Sequence, residues 1–341
     1  MKKTRIALIG LGMAVTPHAK SLVDLADRLE VVHAFSPTEA RRRAFAAKFP
    51  FPLTSRFEDI LEDKSVEAAL VLTPPNTHFE VASRLAAAGK HVLLEKPIEV
   101  NTARALELVE AFERAGRSLG VVLQHRFRPG ALRLAQCVGG GELGDIAAAT
   151  VSVPWWRPQS YYDEPGRGTL ARDGGGVLIT QAIHTLDLFL SLAGPVAQVS
   201  AIGGTSHVHR MQTEDAVGAG LAFANGAFGA LWATTAAYPG FPERIELIGT
   251  RGTAVFSSGR LDIAWQDGRR EALGEEGGGG GGADPMDFPN DAHRGVLADF
   301  LDAIEAGRAP RASGREVLKV HRLIDALLES AKSGRRIDVA V

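Results

Sequence analysis

The sequence predicts an α/β chain in two parts. A doubly wound Rossmann-type domain comes first, followed by an α+β domain on a mostly antiparallel, open-faced sheet. Three observations predict this. Over the first third, short and fully apolar runs alternate with helix-periodic stretches, the pattern of parallel strands covered on both faces. Past residue 145, strand-like runs follow one another directly, with Asn225-Gly226 and Asp267-Gly268 between them; such pairs are strong hairpin signals. The length, 341 residues, suits two domains.

Taken in order, Arg5–Ile9 reads as the first strand. The basic start and apolar run imitate a secretion leader, but two glycines break the run and no small-residue cleavage pattern follows. Ala14–Leu29 has helical periodicity, Glu30–Phe35 is strand-like, and Thr38–Phe49 is helical. Glu67–Leu72 is a strand, and Asn76–Ala88 is a helix that Gly89 ends. Val92–Leu94 is a strand, Thr102–Arg117 a helix capped by Asn101 or Thr102, and Leu119–Leu123 a last strand. The boundary falls near 124–129, giving a first domain over 1–123 and a second over 124–341. Eight strands are expected in the second part: Ile146–Val153, Val196–Ile202, Val217–Phe223, Phe228–Thr234, Arg244–Ile248, Ala254–Ser257, Leu261–Trp265 and Arg269–Leu273. One helix, Gly176–Leu192, interrupts them. Two more close the chain and have the option of packing back on the first domain. The stretch 275–285 is glycine-rich and reads as a surface loop.

Composition excludes several function classes. An apolar fraction of 45% and a charged fraction of 23% are globular values, not those of a disordered chain. With 38 basic against 40 acidic residues, nothing electrostatic argues for nucleic acid or an anionic membrane. No apolar segment reaches the ~20 residues of a membrane span. Cys137 is the only cysteine; it precludes a disulfide framework within one chain and fits a reducing cytoplasm.

The first strand runs into Gly10-x-Gly12-x-x-Val15. In the dinucleotide fingerprint the first glycine makes the turn and the second admits the pyrophosphate to the backbone, with a third for close packing. Val15 departs from that third position. Gly10, Gly12, Met13 and Ala14 are the expected phosphate-side residues, ahead of a helix N-terminus. The second strand ends at Ser36, where an acidic residue would reject a 2′-phosphate. With Arg41 to Arg43 following, the reading leans to NADP over NAD, against the alternative that these arginines are a solvated helix face. Thr73, Pro74, Asn76 and His78 follow a strand end, as do Glu95, Lys96 and, after the last strand, Gln124. All belong to the edge of the sheet where ligands bind. Pro97 stops the strand behind Lys96.

GLGMAVTPH, TPPNTH, EKP and the later GGG…H…D occur in this order along essentially the whole chain. In these motifs the sequence resembles the Gfo/Idh/MocA oxidoreductases. The resemblance implies a nicotinamide cofactor, a sugar, cyclitol or nucleotide-sugar substrate, and dimers or tetramers packed through the open face of the second sheet. It also implies that His184 is the catalytic histidine. Many members carry an aspartate four residues before it. This chain has Thr180, which cannot accept a proton at neutral pH but can hydrogen-bond substrate. Thr180, His184 and Asp187 share one face of a regular helix, Asp187 in a structural role.

Alcohol oxidation needs a hydride acceptor and a base for the hydroxyl proton, a role imidazole suits. His184 is therefore the expected acid/base, Lys96 positions or relays the substrate hydroxyl proton, and Glu95 orients Lys96 or touches the nicotinamide ribose. Arg126, Trp156, Arg157, Tyr162 and Arg167 are the further substrate candidates, since guanidinium groups and stacking faces suit a sugar bearing an anionic group. Arg167-Gly168-Thr169 looks like members that oxidise nucleotide-linked sugar acids. The alternative for this stretch is an ordered loop of packed aromatics. No metal is expected: His207-x-His209 has no third ligand in view and reads as a surface strand or loop. The expected activity is hydride transfer between NAD(P) and a secondary alcohol or ketone. The rivals are a non-catalytic dinucleotide or sugar sensor and a reductase of non-sugar substrates such as dihydrodiols.

Overall fold

In the computed structural model, which describes residues 2–275 and 289–340, the first sheet has six strands. They are β1 (Thr4–Ile9), β2 (Leu29–Phe35), β3 (Leu53–Thr54), β4 (Ala68–Val71), β5 (His91–Leu94) and β6 (Leu119–Val121). All pair in parallel, in the order β3-β2-β1-β4-β5-β6. Helices α1 (Val15–Asp24), α2 (Glu39–Ala46), α3 (Glu58–Glu62), α4 (His78–Ala87) and α5 (Thr102–Ala115) lie between them. β4 is buried at every residue, and Val92, Leu93 and Leu94 of β5 likewise. Covering on both faces is why these strands are continuously apolar rather than alternating. The Asn101 side chain accepts from the Ala103 and Arg104 amides to start α5, and Gly116 ends it in the left-handed region. The first helix is shorter than its periodicity predicts. Leu25 to Arg28 close into turns, and Leu29 already opens β2.

The remaining helices are α6 (Pro129–Gly139), α7 (Gln159–Tyr162), α8 (Leu170–Asp173), α9 (Ile183–Ala193), α10 (Asp291–Ala306) and α11 (Gly314–Ser333). The second sheet contains β7 (Ile146–Pro154), β8 (Val196–Gly204), β9 (Ala216–Phe223), β10 (Phe228–Thr234), β11 (Arg244–Gly249), β12 (Gly252–Ser257), β13 (Arg260–Trp265), β14 (Arg270–Leu273) and β15 (Ile337–Asp338). Their order is β14-β13-β12-β11-β7-β10-β9-β8-β15. Among the described residues, only β7 and β10 of this sheet pair in parallel. The eight expected strands are all present; the two-residue β3 and β15 are additions, too short to leave a period in the sequence.

Two compact units result, Met1–Gln124 with Pro289–Leu318, and His125–Phe288 with Lys319–Val341. The first thus takes in α10, which lay in 124–341 by sequence; α10 packs on α1 and β5. Apart from Glu275, the glycine-rich stretch 275–285 lies outside the described residues. Among those residues, Leu170–Ala193 is long and apolar enough to cross a membrane by length and composition, contrary to expectation, but its apolar window is 83% buried inside the fold. One face of the second sheet is open. Ile202, Phe228 and Trp232 on β8 and β10 are 85%, 72% and 46% exposed, while their neighbours Ala201, Leu231 and Ala233 are buried.

Candidate active site

Strand order reverses beside β1, and in such sheets a dinucleotide crosses the crevice at the strands' carboxyl ends. Gly10 stands there with φ +99°, and a Cβ on it would lie 2.9 Å from the Leu72 carbonyl atoms, so glycine is required for the chain to turn. Gly12 differs: a Cβ there would meet nothing within 4 Å. Its backbone borders open space, as close approach by a pyrophosphate requires. α1 begins without a side-chain cap and without an acid in its first turn, leaving amide donors for an anion. Met13 is 72% exposed, and Ala14 is half-buried at the cap position. At the far side of the crevice Gln124 follows β6, and its Oε1 is buried with no hydrogen-bond partner. These residues fit a dinucleotide.

At the end of β2, Ser36 is buried and its Oγ accepts from the Thr38 amide. The neighbouring arginines divide. Arg42 donates to the Ser36 carbonyl at 2.6 Å, Arg43 pairs with Glu39, and Arg41 is exposed on α2. The Ser36 hydroxyl is therefore turned into its own bend rather than presented to a ribose.

Thr73 is half-buried after β4, and Pro74 and Asn76 are exposed. His78 requires a correction as a cofactor residue. It is fully buried, with Nδ1 2.8 Å from the Pro97 carbonyl and Nε2 2.7 Å from that of Thr73. It ties together the two turns that face the crevice. Burial pushes its imidazole below the ordinary histidine range, against the pull of those two carbonyls.

Glu95 and Lys96, both half-buried, leave β5 at the same edge; the Lys96–Pro97 bond is cis. Glu95 Oε2 accepts from the Lys96 amide at 3.0 Å, and Oε1 lies 2.7 Å from His18 Nε2 on α1. Burial pushes the Glu95 carboxyl up, but the His18 hydrogen bond, then the charges of His18, Lys96 and His293, outweigh it and hold it at about 2. His18 and His293 meet edge-on, ring centroids 4.9 Å apart. Nothing in the sequence joins these three; α10 delivers His293.

In the second unit, His184 stands near the start of α9, 9% exposed. Leu178–Ala182 before it is wound as a π-helix, a wider turn that is frequent at functional sites. The regular spacing assumed for Thr180, His184 and Asp187 is therefore broken, and the Thr180 hydroxyl donates to the Gly176 carbonyl at 2.7 Å. Gly176 is where the chain passes Glu214: a Cβ would lie 1.8 Å from the Glu214 carbonyl oxygen. The Glu214 carboxylate accepts from the amides of Gly176 and Leu178 and so caps this helical stretch; burial pushes its carboxyl up. His125, at 5.1 Å between ring centroids, lies beside His184. Neither Glu214 nor His125 was legible as a site residue, because each acts from a distant segment.

The Asp187 carboxylate is paired with a guanidinium inside the unit. Arg126 Nε and Nη2 donate to its two carboxylate oxygens at 2.6 and 2.7 Å. Arg126 is thus engaged inside the unit rather than held ready for substrate. Two more substrate candidates are corrected. Tyr162 is 8% exposed with its hydroxyl 2.7 Å from Thr235 Oγ1, and burial pushes the phenol up to about 12. Arg157 is 2% exposed, donating to the Trp156 carbonyl and to Gln181 Oε1. The residue missed is Tyr161, half-buried, whose hydroxyl accepts from Gln181 Nε2 at 2.9 Å. Arg167 stacks over its ring at 4.0 Å and Arg157 lies 5.7 Å from it. Arg167 also pairs with Glu164, and Trp156 is half-buried beside Tyr238. His209 is not a surface residue: it is 5% exposed, between Asp215 and the Arg157 carbonyl.

Two family models match the chain. One, described as an oxidoreductase family with NAD-binding Rossmann fold, covers residues 4–123, and the other, a GFO/IDH/MocA C-terminal domain, covers 131–255. Inositol 2-dehydrogenase of Rhizobium meliloti is 26% identical over 348 residues, spanning 98% of this chain and 99% of its own. A putative UDP-kanosamine synthase oxidoreductase subunit of Amycolatopsis mediterranei is 35% identical over 205 residues, 59% of this chain and 55% of its own. The crystal structure of WlbA dehydrogenase from Bordetella pertussis, in complex with NADH and UDP-GlcNAcA, matches with a TM-score of 0.84 at 30% identity over 100% of both chains.

Proposed function

We propose, from the premise that this chain belongs to the Gfo/Idh/MocA family of NAD-binding oxidoreductases, that it oxidises a secondary alcohol of a nucleotide-linked sugar acid, or reduces the matching ketone. The observation that carries this is the Glu95-Lys96-Pro97 strand end at the ligand edge of the sheet, with the Glu95 carboxylate held by His18 of α1 and by the Lys96 amide. A bound nicotinamide supplies the hydride acceptor. His184 takes the hydroxyl proton as the C–H bond gives up its hydride, and Lys96 holds the hydroxyl oxygen. The Arg167 guanidinium over the half-buried Tyr161 ring favours an anionic sugar over a neutral polyol, and the WlbA relative was crystallised with such a compound. NAD(H) replaces the NADP expected from Ser36 and Arg41. Ser36 and Arg42 are engaged with their own turn, and the WlbA complex contains NADH. A second copy of this chain is the occupant proposed for the open face of the second sheet, where Phe228 and Trp232 are exposed.

The test is absorbance at 340 nm with NAD+ or NADP+ and a panel of UDP-GlcNAcA, UDP-GlcNAc, myo-inositol and a trans-dihydrodiol. Faster turnover with the acid and NAD+ is expected. Preference for UDP-GlcNAc or inositol overturns the sugar-acid reading. Turnover with none of them, by protein that binds NAD+, favours the sensor.

A further inference from the structure

We infer that His18 and His293 are positioning residues that aim the Glu95 carboxylate at the oxidised nicotinamide, so that together they favour NAD+ over NADH at this site. The inference rests on the cofactor reading above. Three elements of one unit converge here: α1 brings His18, the end of β5 brings Glu95, and α10 brings His293, with one nitrogen or oxygen of each inside a 4.8 Å span. An ionised carboxylate only accepts hydrogen bonds, so His18 Nε2 carries the proton in its 2.7 Å contact with Oε1. The other oxygen, Oε2, takes the Lys96 amide. Both oxygens are thereby fixed, and the carboxylate cannot rotate. The His18 side chain is 4% exposed and that of Glu95 15%, so the charge is screened little by water. His293, 4% exposed, packs its ring edge-on against that of His18 and keeps the donating ring from swinging away. The strand order puts β5 on the side of the crevice away from β2. The adenosine lies over β2, so the nicotinamide half extends toward β5. The oxidised ring is cationic and the reduced ring neutral; a fixed anion beside it discriminates between them.

The same three side chains are a donor set that zinc would accept. Geometry speaks against it. Two ligands at about 2.0–2.1 Å from a tetrahedral ion stand roughly 3.3 Å apart, wider than the 2.7 Å between His18 and Glu95. The pair is closed by a proton rather than opened around an ion.

The experiment measures dissociation constants for NAD+ by calorimetry and for NADH by fluorescence in wild type, His18→Leu, His18→Asn and His293→Phe, each checked by circular dichroism. His18→Leu is expected to weaken NAD+ binding about tenfold, the scale of one charge-assisted hydrogen bond, with NADH affected less than threefold. His18→Asn, which keeps an N–H donor, should recover most of the loss, and His293→Phe should show a smaller loss of the same sign. Equal weakening for both oxidation states, or none, overturns the inference while leaving the cofactor reading intact. Failure of wild type to bind either dinucleotide removes both. Zinc binding by wild type that His293→Phe abolishes would make the cluster a metal site and overturn the positioning role.

Discussion

Replacing His321 with leucine should flatten the acid side of the stability profile. His321 lies on α11, 1% exposed, and burial alone pushes its imidazole down from 6.5 to about 4. In the unfolded chain it protonates near the higher value; in the folded chain it stays neutral until near the lower one. Above pH 6.5 both states are neutral and the group is silent. As pH falls from there, the unfolded state gains a proton that the folded state refuses, and stability is lost. The gap between 6.5 and about 4 corresponds to about 3 kcal/mol when fully expressed, and about 2 kcal/mol of it is already lost at pH 5. All four tryptophans, Trp155, Trp156, Trp232 and Trp265, fall in the unit that also contains His321. Their fluorescence therefore follows the relevant transition without interference from the other unit. Urea unfolding of wild type and His321→Leu at pH 7.5 and pH 5 gives the comparison, and groups that titrate in both proteins cancel in the difference. The leucine variant should retain about 2 kcal/mol more of its neutral-pH stability at pH 5. Equal losses in the two proteins would refute the reasoning.

The two glycines of the first turn should separate. Gly10→Ala should cost about 2 kcal/mol or more in urea unfolding because of its φ of +99° and the Leu72 backbone beside it. Gly12→Ala should leave unfolding unchanged and lower dinucleotide affinity in a fluorescence titration. Asp187→Asn should cost roughly 3–5 kcal/mol by leaving the Arg126 guanidinium without its carboxylate; a loss under about 1 kcal/mol would contradict the buried pairing. Lys96→Ala should abolish turnover at 340 nm while dinucleotide affinity stays within a few-fold, and a large loss of affinity would make Lys96 a binding residue instead. Trp232→Arg on the open face should shift the molar mass seen by light scattering to that of one chain; no shift would remove that face as the interface.

The architecture was legible where the signal is local. Period and turn chemistry mark β5 through its apolar run and Pro97, and β9 and β10 through Asn225-Gly226. The same signals place His184 in a helix and Lys96 at a strand end. What periodicity cannot carry is the identity of a partner. It shows which face of α10 is apolar, not that this face returns to α1 and brings His293 against His18. Nor does it distinguish Tyr161 from Tyr162. Adjacent tyrosines are equivalent in composition, and only the fold puts one against Thr235 and the other within reach of two guanidinium groups. The π-helical winding ahead of His184 is likewise invisible, because a rule of 3.6 residues per turn assumes the regularity that this segment lacks.

The polar residues singled out in each unit share a physical constraint that explains why their partners are remote. A buried charge or an uncapped helix start must be satisfied inside the fold. Neighbours in sequence cannot do this alone, since they point along the same strand or helix. Glu95 is satisfied from α1, and Asp187 by Arg126 from the segment after β6. The helical stretch leading to His184 is started by Glu214 from just before β9. Each contact joins a chemically expected residue to an unremarkable one, and each fixes an orientation as well as a charge. A carboxylate held at both oxygens, as in Glu95 and Asp187, has one direction left to it. The segments that lead to Lys96 and His184 are therefore held by residues that a reading of motifs passes over, His18 through Glu95 and Glu214 through the Gly176 and Leu178 amides.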